Sequence, residues 1–193
     1  MMFSTTLKVY PRLKKVAKFG LTGLVFSSFF QYAFGETNTG SRIELEGSIG
    51  GSYIANQDFD GSFSLDNTVA LRFSDYSIRG GLLYLDEMRP EDVSQSEDTY
   101  IESGGLYLGV NKRFALKPFD IEIGGGIIGT RSRVYLYDRK IDEDEAFSPY
   151  INVKAIKMLN KVFGFQAEWK YLDDVNGGNI NVLQAGVRLS FGV

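Results

Sequence analysis

Residues Leu183-Gln-Ala-Gly-Val-Arg-Leu-Ser-Phe191 carry the plainest alternation in the chain. Leu183, Ala185, Val187, Leu189 and Phe191 fall on one side of an extended chain, with Gln184, Gly186, Arg188 and Ser190 on the other. Alternation every second residue is the period of a β-strand whose two faces meet different surroundings. The segment before it repeats the pattern, setting Phe163, Phe165, Ala167, Trp169 and Tyr171 against Gly164, Gln166, Glu168 and Lys170. Further back, segments 147–155, 119–135, 99–114, 77–85, 62–73 and 41–53 alternate likewise, although Leu83 and Leu85 blur the contrast in 77–85. That makes eight strands, most of about 10 residues or more, a length suited to crossing a bilayer at a tilt. No segment of this region carries a convincing amphipathic helix.

The connections alternate in length. Residues 74–76, 115–118 and 157–161 are short, whereas 54–61, 86–98, 137–146 and 173–179 are mostly longer. The long set is strongly acidic, and the short set carries Asp75 against Lys117, Lys157 and Lys161. Short turns at one end and long loops at the other are the pattern of outer-membrane barrels, with the long side outside the cell. In a soluble barrel the apolar face points inward, and in a membrane barrel it points to lipid. Strand length, loop alternation and aromatics near segment ends (Tyr53, Phe63, Phe73, Phe119, Phe147, Trp169, Tyr171, Phe191) favour lipid outside. The expected fold is an all-β, eight-stranded, antiparallel up-and-down transmembrane barrel.

The last hairpin, Trp169-Lys-Tyr-Leu-Asp-Asp174 followed by Leu183 to Phe191, resembles that of the small eight-stranded outer-membrane barrels of the OmpA transmembrane-domain and OmpX type. The resemblance implies that the final aromatic strand, here at Phe191, signals to the barrel-assembly machinery. Gly192-Val193 follows Phe191, so the strictly terminal aromatic of the family is absent.

Residues 1–35 read as a cleaved signal peptide. Lys8, Arg12, Lys14, Lys15 and Lys18 precede an apolar run from Phe19 to Phe34, and Ala33-Phe34-Gly35 offers a small-x-small cut before Glu36. Residues 36–193 form the expected barrel domain, and their net charge of −8, with all 24 acids but 16 bases, argues against a nucleic-acid partner. The 193-residue chain has no cysteine and no histidine. Disulfides, thiolate metals and histidine-dependent hydrolysis are therefore excluded. Outer-membrane enzymes that resemble lipid A deacylase, palmitoyltransferase, phospholipase or omptin protease rely on histidine, so those activities fall too.

One strand face carries Glu44, Glu46, Arg72, Arg79, Arg113, Glu122, Lys154, Glu168, Lys170 and Arg188. Inside so narrow a barrel these ten charges must pair, either as a polar plug or as a gated ion path. Asp142-Glu143-Asp144-Glu145 offers oxygen ligands for Ca²⁺ or Mg²⁺, and divalent ions there could bridge to lipopolysaccharide; the plainer reading is a solvated loop. Gly124-Gly-Gly-Ile-Ile-Gly129 matches a dinucleotide fingerprint by letter, but strand-like sequence follows where a helix is required. No cofactor is indicated. Asn176-Gly177-Gly178 reads as a hairpin turn.

The expected function is non-enzymatic: a barrel in the bacterial outer membrane presenting acidic loops, with a role in envelope integrity, adhesion or host interaction. The alternatives are a narrow pore for ions or small solutes, and a soluble periplasmic barrel holding an apolar ligand. Outer-membrane lipid, lipopolysaccharide and the assembly machinery are the expected partners, and the sequence names no extracellular ligand.

Overall fold

The alternating segments zip into β1 (Arg42–Ala55), β2 (Ser62–Phe73), β3 (Tyr76–Met88), β4 (Thr99–Leu116), β5 (Phe119–Leu136), β6 (Arg139–Met158), β7 (Phe163–Val175) and β8 (Gly178–Gly192). Each strand pairs antiparallel with its sequence neighbours, and β8 returns to β1 to close the ring. This computed structural model describes residues 41–55, 61–89, 99–175 and 178–192. The expected signal peptide, the middles of the 54–61 and 86–98 connections, and Asn176-Gly177 of the expected turn lie outside the described residues. Closure pairs the backbone all round the ring, the condition for placing strands in hydrocarbon.

The apolar face points outward. On β5 the outward positions run Phe119, Ile121, Ile123, Gly125, Ile127 and Gly129 before Arg131 begins a polar stretch, while Glu122 and Ile128 between them are buried in the lumen. Ten residue steps span roughly 34 Å along the strand, or about 26 Å after a tilt of ~40°, which is the height of a hydrocarbon layer. Leu106, Leu108, Ile127, Ile151 and Leu183 are all more than half exposed in this belt. A continuous apolar girdle of that size has no place on a soluble monomer. The soluble alternative, with its apolar face inward, is thereby corrected: the barrel is transmembrane.

Aromatics rim the belt. Phe73, Tyr76, Phe114 and Phe119 mark the short-turn end, where Lys112 Nζ lies 5.5 Å from the Tyr76 ring centre and Lys157 Nζ lies 5.2 Å from that of Phe119. Tyr53, Phe63, Phe147 and Trp169 mark the other. Such rings sit where hydrocarbon meets water, and cations over their faces reach the headgroup layer.

Two expected loops are strand instead. The sequence pattern makes residues 137–146 an acidic loop, yet β5 and β6 zip to a two-residue turn at Tyr137-Asp138, with φ of 49° and 59°. Positive φ at both central residues is the type I′ signature, whose twist matches that of the flanking strands. Cross-strand neighbours explain the zipping: Arg131 faces Glu145 and Arg133 faces Glu143, and opposite charges directly across a sheet stabilise pairing. Residues 173–179 also shrink, because β7 runs to Val175 and pairs there with Gly178.

Candidate functional site

All ten charges named from the alternation face the lumen, where they form one lattice. At its centre Arg188 donates to both oxygens of Glu122 at 2.7 and 2.9 Å and to Glu44 at 3.1 Å, and lies 2.7 Å from Glu46. Its Nε reaches Gln166 Oε1 at 3.3 Å. Glu46 also accepts from Arg79 at 2.6 Å and pairs with Lys154. Lys154 lies 3.4 Å from Glu168, which in turn accepts from Asn152 at 2.8 Å. Lys170 pairs with Asp66, and Tyr107 donates to the other oxygen of Asp66 at 2.7 Å. Asp66 completes the lattice. Its alternation places it on the polar face, but Lys170 reaches it across 104 residues of sequence, a contact no local pattern reveals.

The lattice follows from β-strand parity. Every second residue of β1, β6, β7 and β8 enters the lumen, so Glu44 and Glu46, Lys154, Glu168 and Lys170, and Arg188 stack at neighbouring heights. Taking these charges from water is costly, and their mutual attraction repays it only while each has its partners. Lys170 also sits over the Tyr107 ring, 4.1 Å from its centre, and 5.7 Å from that of Tyr150. Glycine makes the room for both rings. A Cβ on Gly81 would run into the Tyr107 hydroxyl, and one on Gly109 into the Tyr150 hydroxyl.

Towards the long-loop end the lumen turns apolar. Leu83, Leu85, Met88, Ile128, Leu172, Ile180 and Val182 form one buried cluster with Tyr107 and Tyr150. Sequence reasoning misses this layer. Its signal is the pair Leu83 and Leu85, which share the inward face with Arg79 but lie further along the strand. The opposite mouth is cationic, with Arg72 and Arg113 lying 3.5 and 3.8 Å from Glu44. Arg113 also pairs with Asp120.

Above the belt, the β5–β6 hairpin projects. Arg131 Nε donates to Glu145 at 2.8 Å, Arg133 Nε to Glu143 at 2.8 Å, and Lys140 to Glu143 at 3.1 Å. The hydrogen bond from Arg133, followed by that from Lys140, holds the Glu143 carboxyl below the usual range, and the same bond raises the Arg133 guanidinium. The expectation of a Ca²⁺ or Mg²⁺ site at Asp142, Glu143, Asp144 and Glu145 needs correction. Successive strand residues point to opposite faces, so the four carboxylates cannot converge, and Glu143 and Glu145 already hold cations of β5. Tyr100 and Tyr135 stack at 4.8 Å beside this hairpin, and Tyr100 donates to Asp138 at 3.2 Å. β6 pairs with β7 from Tyr150 to Met158, and Ser148 Oγ still donates to the Asp174 carbonyl at 3.0 Å, so among the described residues the unpaired outer edge of β6 is Arg139–Phe147. Phe191 pairs with Ile43 across the seam that closes the ring.

No protein-family model and no curated sequence matches the chain. Solved structures do. Neisserial surface protein A aligns over 81 % of this chain and 100 % of its own, at 13 % identity and a TM-score of 0.60. Ail, the attachment invasion locus protein of Yersinia pestis, aligns over 78 % of this chain and 97 % of its own, at 12 % identity and a TM-score of 0.53. A major outer membrane protein of Thermus thermophilus aligns over 78 % of this chain and 99 % of its own, at 10 % identity and a TM-score of 0.55. The chain has the fold of the small eight-stranded outer-membrane β-barrels.

Proposed function

We propose that the chain is a non-enzymatic, non-conducting barrel of the bacterial outer membrane whose β5–β6 hairpin serves as an interaction platform. The filled lumen carries this reading. A pore needs a continuous watery path, but here the buried Leu83, Ile128 and Val182 stand across the lumen above a lattice of paired charges whose centre is buried. An eight-stranded ring has room for side chains and little else. The exchange of ion partners that a gated path would need also has to break contacts such as the bidentate grip of Arg188 on Glu122.

The surface offered for interaction outside the cell stands above the belt. The free edge of β6 offers backbone N–H and C=O groups in extended geometry, suited to accepting a strand from a partner. The carboxylates of Asp142 to Glu145 discourage two copies from pairing there, since like charges would oppose one another. Outer-membrane lipid and lipopolysaccharide surround the belt in this reading. The assembly machinery engages the β8 end at Phe191, and removal of residues 1–35 during export leaves the barrel domain. Ail, the attachment invasion locus protein of Yersinia pestis, has the same fold and supports the assignment to surface interaction.

The test is conductance. Purified, folded barrel reconstituted in planar bilayers should give no stepped current, in wild type and in Arg188→Lys alike. Reproducible unitary steps from the wild-type protein, abolished by denaturation, would overturn the non-conducting reading in favour of a narrow pore.

A further inference from the structure

At the short-turn mouth Arg42, Arg72 and Arg113 line a cavity of about 460 Å³ together with Ser74 and Asp75. The three guanidinium groups come from β1, β2 and β4 and lie on the inward faces of those strands. Arg42 and Arg72 are direct cross-strand partners, an arrangement of like charges that costs stability when nothing lies between them. Arg113 is neutralised by Asp120. Arg72 has only a 3.5 Å approach to Glu44, whose other oxygen Arg188 holds at 3.1 Å, and spends its Nε on the Ser74 carbonyl at 3.0 Å. Arg42 makes no ion pair among the described residues and is exposed to the mouth. Among the described residues, positive charge is therefore concentrated there beyond what the ion pairs of these arginines neutralise, in a concave site open to water.

We propose that this mouth binds a phosphate-bearing anion, gripped between Arg42 and Arg72. Guanidinium forks match the oxygens of a tetrahedral oxyanion and donate two hydrogen bonds each. An anion seated between the paired arginines offsets their repulsion, and a doubly charged group does so more strongly than a singly charged one. Asp75 tunes the site, since it lines the same cavity and carries a charge that opposes an incoming anion. The inward aim of the arginines admits either a soluble phosphomonoester or a phospholipid headgroup folded under the rim. Both present phosphate oxygens to the guanidinium forks, the monoester with up to two charges and the diester headgroup with one.

Calorimetric titration of the full protein in dodecyl maltoside, at constant ionic strength, tests the idea with inorganic phosphate as probe. Phosphate should bind to wild type and weaken about tenfold or more in Arg42→Gln and Arg72→Gln, while Asp75→Asn should bind more tightly. Each variant is first checked for the gel-mobility difference between boiled and unboiled samples, which reports the closed barrel separately from the site. A second arm titrates phosphatidylglycerol dispersed in the same detergent. Binding of phosphate alone assigns a soluble ligand, and binding of the lipid as well assigns a headgroup. No binding of either probe, or binding unchanged in folded Arg42→Gln and Arg72→Gln, overturns the proposal. Weaker binding in Asp75→Asn would do the same.

Discussion

Replacing Arg188 by methionine removes the centre of the luminal lattice while keeping an unbranched side chain of comparable reach. Wild-type Arg188 touches three carboxylates, Glu122 at 2.7 and 2.9 Å, Glu44 at 3.1 Å and Glu46 at 2.7 Å. Glu46 keeps Arg79 and Lys154, but Glu122 loses the only ion-pair partner it has among the described residues. Glu44 is left with distant approaches to Arg72 and Arg113. Breaking one buried pair costs about 3–5 kcal/mol, because a charge stays behind without its partner. Arg188→Met should fall in that range, lowering the folding constant roughly a thousandfold. Unfolding in urea, followed through the single tryptophan, Trp169, on the lipid face, gives the difference directly. Arg188→Met/Glu122→Gln should recover part of the loss, since the stranded charge is gone, and the double-mutant cycle isolates the coupling. The exposed pair Arg131–Glu145 is the control, with a loss of about 1 kcal/mol or less for Arg131→Ala. A change below about 1 kcal/mol for Arg188→Met, with no coupling to Glu122, would refute the view that the lattice holds the lumen together.

Three further outcomes can be checked in parallel. Leu108→Arg, in the middle of the exposed belt, should cost about 2–4 kcal/mol in refolding into lipid vesicles, whereas Ile141→Arg, on the projecting hairpin, should stay within about 0.5 kcal/mol. Gly109→Ala should displace the Tyr150 ring, visible as lowered stability and altered tyrosine signals in near-ultraviolet circular dichroism, with Tyr150→Phe in the same background giving partial relief. The depressed carboxyl of Glu143 gives the hairpin a pH signature, because its contribution is full above the ordinary value of 4.5 and disappears as pH falls through the folded value. Hydrogen-exchange protection of the hairpin amides should therefore hold from about pH 8 to about pH 5 and decline only below about pH 4, with Arg133→Ala moving the decline to higher pH.

Alternation made the strands legible, since the two faces meet solvents as different as lipid and a packed polar lumen, and a period of two survives any register. It also placed charges from Glu44 to Arg188 on the inward side before any pairing was known. Depth along the barrel was not legible. Leu83 and Leu85 look like noise in an alternating strand until the register sets them at the apolar end of the lumen, beside Ile128 and Val182. The β5–β6 extension was hidden for a different reason: Asp142 to Glu145 is a poor strand former by itself, and its stability comes from Arg131 and Arg133 across the hairpin. Tyr137-Asp138 lacks the Asn-Gly or Asp-Gly signal of a type I′ turn, so nothing local announced how late the chain reverses. Asp66 was visible as an inward residue, but its partner Lys170 comes from the far side of the ring.

The two-layer filling of the lumen bears on how much of the protein a cell can tolerate. Every open channel added to a membrane raises its permeability to the solutes that the channel admits. A barrel that conducts nothing, as proposed for this one, adds none. On that reading, copies of this barrel can crowd a surface at high density, displaying many hairpins side by side for multivalent capture, without eroding the permeability barrier of the membrane that carries them.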